Sequence, residues 1–178
     1  MTRLWALALA GLGVAAALAR FEAPEKPLSL VVGGDLNGYL SPCGCSKPMT
    51  GGIRRRAYAL AEIRKGANTV VVENTGLAKD GSPQERMKLT AALQALERTR
   101  VDAVHWGEAE LRLGEEETAV AANLLGARLL SGADAGFGLE RGREASGLWI
   151  GIGDAADVAR EADERKMPGV LLLDGNLE

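Results

Sequence analysis

Apolar and polar positions along the chain switch repeatedly between two periods. Leu28–Val32 (LSLVV) is a short apolar run stopped by Gly33-Gly34, the pattern of a buried strand. Ile53, Ala57, Leu60 and Ile63 then recur at helical spacing until Gly66 closes the helix. Thr69–Glu73 (TVVVE) is rich in β-branched residues and reads as a second strand. Ser82-Pro83-Gln84-Glu85 joins an N-cap, a proline at the first helical position and a capping-box glutamate. It opens a helix carrying Met87, Leu89, Ala92, Leu93 and Leu96. Val101–Trp106 (VDAVHW) is a third strand, and Glu115–Leu125 is a helix whose first turn holds three acids, which suits its dipole. Ala127–Ser131 and Leu148–Ile152 supply strands four and five. A helix over Ala155–Lys166 leads to a sixth strand in Gly169–Gly175, while the Gly-rich stretch Gly132–Gly147 reads as a hairpin or a surface loop.

Strands alternating with amphipathic helices predict an α/β fold, with a largely parallel or mixed sheet and helices on both faces. In such sheets the polar residues just after the strands gather along one edge, where ligands bind. Those positions are Gly34-Asp35-Leu36-Asn37, Glu73-Asn74-Thr75-Gly76, Gly107-Glu108-Ala109-Glu110 and Asp174-Gly175-Asn176.

The N-terminus changes the picture of where this domain works. Met1-Thr2-Arg3 precedes an uncharged 16-residue run, Leu4–Ala19, that ends in the A-x-A pattern Ala17-Leu18-Ala19. This is the layout of a secretory signal peptide over residues 1–19, or of an uncleaved signal anchor, since spanning helices take about 17–25 residues. Residues 20–27 form a short Pro-containing linker, and residues 28–178 form the domain. The expected location is outside the cytoplasm, periplasmic or extracellular, with membrane attachment only through an uncleaved N-terminal segment.

Composition narrows the partners. The chain has 178 residues, 47% hydrophobic and 25% charged, enough for one domain with its own core. A net charge of −3 and 4% aromatic residues give neither the basic surface nor the stacking platforms that nucleic acid requires.

The strand-end residues resemble the calcineurin-like metallophosphoesterases, in particular the secreted branch that includes the bacterial 5′-nucleotidases. In that branch strand one ends in Asp-x-His-Gly, followed by a loop and a Gly-Gly-hydrophobic-Arg-Arg helix start. Here the order is Asp35-Leu36-Asn37-Gly38, then Gly51-Gly52-Ile53-Arg54-Arg55. The family's Gly-Asp after strand two is matched by Glu73-Asn74-Thr75-Gly76, its Gly-Asn-His-Glu by Gly107-Glu108-Ala109-Glu110, and its later Ser-Ala-Asn by Ser131-Gly132-Ala133. The resemblance implies a metallophosphoesterase-like domain shortened at its C-terminus relative to the family.

The departures fall on the chemistry. Two-metal hydrolysis clamps a phosphate between cations about 3.5–4 Å apart, held by several imidazoles and carboxylates. This chain has one histidine, His105, inside the third strand, and Ala109 stands where the family has its catalytic His. Asn37 replaces the His of the first motif, Gly76 the bridging Asp and Glu108 the Asn. A normal dinuclear site is therefore not expected. Asp35, Asn37, Asn74 and Glu108 are the candidate ligands of at most one divalent ion, with Glu110 as a further oxygen donor. Each also has a plain structural reading as turn or solvated surface chemistry.

Gly51, Gly52, Arg54 and Arg55 at a helix start form a candidate site for a phosphate-containing or otherwise anionic small ligand. Cys43 and Cys45, the two cysteines of the chain, suit a strained disulfide, a soft metal such as Cu(I), or a simple staple. Three readings follow. The first is an exported phosphoesterase-type domain with a degenerate site, acting as a binding or accessory module, alone or beside other envelope proteins. The second is an active metal-dependent hydrolase with a reduced site. The third is a redox or copper-handling module.

Overall fold

The computed structural model describes residues 26–42, 51–132 and 138–172. The expectations for the N-terminal segment, for Cys43 and Cys45, for Ala133 and for Asp174 and Asn176 fall outside them. Four strands form a parallel sheet in the order β1 (Leu28–Gly33), β2 (Asn68–Glu73), β3 (Ala103–His105), β4 (Leu129–Leu130). A second sheet holds β5 (Gly142–Ala145), β6 (Leu148–Ile152) and β7 (Gly169–Leu172), with β5 antiparallel and β7 parallel to β6. The sheets meet beside β4, where Leu130 bridges Glu140 and Ser131 N–H donates to the Glu140 carbonyl at 3.0 Å. The helices are α1 (Ile53–Gly66), α2 (Pro83–Arg98), the short α3 (Glu108–Leu111), α4 (Glu115–Leu125) and α5 (Ala155–Glu164).

Three apolar clusters define the layers. Leu60 of α1, Leu89, Leu93 and Leu96 of α2, and Ala121 and Leu125 of α4 pack with Val71 and Val104 on one face of the four-stranded sheet. On its other face Val70, Val72, Ala103 and Leu130 meet Ala145, Leu148, Ile150 and Ile152 of the second sheet. Val158 and Ala162 of α5 cover Trp149 on that sheet's outer face. The stack is helices, sheet, sheet, helix. Alternation of side chains along β2 feeds both interiors, so its near-continuous apolar run follows from burial on two sides.

The α/β class and the helices on both outer faces are as the periodicity predicts. The strands, however, form two stacked sheets, and β5 is a strand of its own. It takes up the end of the Gly-rich stretch and pairs with β6 beyond it through backbone hydrogen bonds, and only Ala145 of its residues is a buried apolar side chain. Among the described residues no helix is long and apolar enough to cross a membrane.

α2 starts as its sequence dictates. Ser82 is the N-cap, its Oγ accepting from Glu85 N–H at 3.4 Å with Pro83 in the first turn. Trp106, just beyond β3, is fully buried and donates from Nε1 to Thr118 Oγ1 of α4 at 3.1 Å, fixing that helix against the strand end.

Candidate functional site

The C-terminal ends of β1, β2 and β3 lie side by side, and their following loops build the candidate site. The β1 loop runs along the β2 loop: Asp35 N–H donates to Thr75 O at 3.2 Å, Asn37 N–H to Gly76 O at 2.8 Å, and Gly38 N–H to Leu77 O at 3.1 Å. To follow that path Asp35 and Asn37 adopt φ of 51° and 45°, a left-handed conformation that Asp and Asn tolerate better than most residues. Gly76 is required opposite them. Its φ is +88°, and a Cβ there would lie 2.8 Å from Asp35 Oδ1.

Beneath these loops the polar side chains bind one another. The Glu110 carboxylate of α3 is buried. It accepts from Thr75 Oγ1 at 2.5 Å, from Gly76 N–H at 2.9 Å and from Leu77 N–H at 2.8 Å. His105 is buried at the end of β3, with Nδ1 at 2.8 Å from Asn74 Oδ1. An amide oxygen only accepts, so the Nδ1 carries the proton. Glu73, the last residue of β2, is buried in an ion pair with Arg56 of α1. Gly33 passes directly over that pair: a Cβ there would lie 2.5 Å from Glu73 Oε2 and 2.6 Å from Arg56 Nη2. Glu108, by contrast, is exposed and pairs with Arg112 at 2.7 Å along its own short helix.

In front of these groups, between the β1 loop and the start of α1, is a cavity of about 650 Å3. Leu36, Tyr39, Ile53 and Ala59 give it apolar walls, and Asp35, Gly51, Gly52, Arg55 and Arg56 give it a polar side. The cavity falls within the size range of small-molecule sites. α1 begins at Gly52, which offers no side-chain cap, and its first turn contains no acid. The positive end of the helix dipole therefore coincides with consecutive arginines. Arg54 faces an adjoining hollow of about 370 Å3 with Pro42 and Tyr58, and Arg55 borders both spaces.

The sequence-predicted site residues thus separate into two groups. Gly51, Gly52, Arg55 and Asp35 line one cavity, with Arg54 next to it. Asn37 and Glu108 are exposed, Asn37 on the β1 loop and Glu108 on α3, and Asn74 is tied to His105. Glu110, a candidate oxygen donor, turns its carboxylate to the β2 loop backbone. Among the described residues no group of three or more His, Cys, Asp or Glu side chains is placed to hold a metal ion. Among the described residues the donor set does not fit the pair of metals that the family resemblance implies: the imidazole is bonded to an amide and the buried carboxylates at the strand ends have partners.

Sequence reasoning missed the Arg56–Glu73 pair and the place of Tyr39. The former had a signal in Gly33-Gly34 at a strand end, where close approach of another group is a standard reason for glycine.

No family model matches the chain, and no curated protein matches it. Among solved structures it is similar to the Haemophilus influenzae NAD nucleotidase NadN, with a TM-score of 0.60 at 14% identity. The match covers 81% of this chain and 33% of that one, so the chain spans about a third of the neighbour's length. At this identity the likeness is one of fold alone, an α/β domain of parallel and mixed strands with helices.

Proposed function

We propose that this chain is an exported, 5′-nucleotidase-like phosphoesterase-type domain whose dinuclear metal site is degenerate. On this reading it acts as a binding or accessory module for a phosphate-containing ligand. The observation that carries the reading is the cavity at the start of α1, where a helix start without a side-chain cap and Arg55 meet apolar walls of ligand-site size. Backbone N–H groups at a helix start and a guanidinium are the usual partners of a phosphate. The fold likeness to a nucleotidase adds the expectation that the ligand carries a phosphoester. Export rests on the Leu4–Ala19 run and its A-x-A end.

Loss of two-metal hydrolysis follows from the donor set. His105 is fixed by Asn74, Glu110 by the Thr75 hydroxyl and the backbone N–H groups of Gly76 and Leu77, and Glu73 by Arg56. Among the described residues, the remaining Asp35 and Glu108 make too small an oxygen set to hold two cations and a bridging water. The test pairs metal analysis of the purified full chain with turnover of a phosphodiester and a nucleotide, with and without added Mn2+. The reading predicts substoichiometric metal and no metal-dependent turnover. Hydrolysis that requires metal and disappears in Asp35→Ala contradicts it and favours the active, reduced-site hydrolase.

A further inference from the structure

We propose that two copies of this chain interlock through the uncovered face of β1. The four-stranded sheet and the three-stranded sheet are joined on the β4–β5 side, so stacking three strands on four from that side leaves β1 overhanging. Leu28, Leu30 and Val32 stand in register with Asn68, Val70 and Val72 of β2. Val70 and Val72 are fully buried between the sheets. Residues paired across neighbouring strands share a face, so the three β1 side chains point into the same layer. They are nevertheless 48%, 43% and 59% exposed, and among the described residues they take no part in the cluster between the sheets.

Two sheet edges flank that gap, β1 and β7, and neither has a further strand beside it among the described residues. Natural edge strands are ordinarily blunted by charge, proline or a bulge. β1 (LSLVVG) and β7 (GVLL) contain no charged residue and no proline. A two-fold axis midway between the two sheet layers resolves both features together. It stacks the apolar face of one β1 on that of its partner, and it sets each β1 in the vacant fourth place beside the partner's β7. Each layer then runs four strands from one protomer into three from the other. The matching one-strand offset selects a second copy as the occupant, and identical charge-free strands meet without like-charge repulsion. The contact is small. Two strand pairings and three apolar side chains from each protomer bury roughly 1,000 Å2, the low end for specific association, so the dimer is reversible.

Sedimentation of the full chain between about 1 and about 100 μM, combined with hydrogen exchange at both ends of that range, tests the arrangement. The interlock predicts a concentration-dependent dimer in which the amides of β1 and β7 slow together. Val32→Lys and Leu30→Lys, at sites open to solvent in the monomer, keep the circular dichroism spectrum, remain monomeric and lose that protection. Three results overturn the proposal: a wild-type monomer throughout, a dimer that protects β1 without β7, or a Val32→Lys protein that associates as the wild type does.

Discussion

Two neighbouring stretches of one sheet edge have opposite characters. At the ends of β2 and β3, Glu73, Asn74, His105 and Glu110 are buried or half-buried and bonded to partners within the fold. At the end of β1 the chain opens into a cavity that faces solvent and is flanked by Arg55 and a helix start without a side-chain cap. Side chains of the type that ligate metals hold the structure together, and the open part is lined by Asp35, Arg55 and Arg56. On the proposed reading, recognition belongs to the β1–α1 side and stability to the β2–β3 side.

Substitutions can break that division. The largest effect is expected from Glu73→Ala, which leaves Arg56 without its carboxylate. Removing one member of a buried ion pair costs about 3–5 kcal/mol, and the 21% exposure of the Arg56 side chain places this one near about 3 kcal/mol. Urea unfolding measures it. Next is Glu110→Ala, expected to cost about 2–3 kcal/mol, because Thr75, Gly76 and Leu77 lose a charged acceptor together. If either carboxylate were a ligand held in place for function, its removal would leave stability unchanged or raise it.

A smaller, pH-dependent effect belongs to Glu85 at the start of α2. Its hydrogen bond from Lys88, with help from Lys79 N–H and against the cost of burial, holds its carboxyl below the ordinary glutamate range. A depressed folded value means the contribution is complete above the unfolded pKa and is lost as pH falls through the folded one. Thermal melts from pH 7 to pH 3 should show wild type and Glu85→Gln converging at the acid end, and curves that stay parallel would count against it. The smallest change is expected for Asp35→Asn, within about 0.5 kcal/mol, since the side chain is exposed and Asn keeps the left-handed backbone accessible.

Much of this was legible in the sequence, for physical reasons that differ by element. β1, β2, β6 and the three longer helices on the four-stranded sheet carry strong periodicity or caps, and their bounds follow closely. β5 has no such signal, since its residues Gly142-Arg143-Glu144-Ala145 depend on the hairpin to β6. Assignment of strands to two sheets was invisible as well, because a run buried on both faces reads the same under a helix or a second sheet. At the site, the missing imidazoles were evident from a count of one histidine. What the sequence could not display was which acids turn inward. Glu108 and Glu110 are two residues apart, yet one pairs with Arg112 in solvent and the other seals the β2 loop.

The most direct measurement of the central claim is calorimetric titration of the full chain with a nucleoside monophosphate, in the presence of a chelator and again with Mn2+. The account predicts the same affinity in both, weakened about 10- to 100-fold by Arg55→Ala through loss of a charged hydrogen bond. Binding that appears only with the metal, and is indifferent to Arg55, would contradict it.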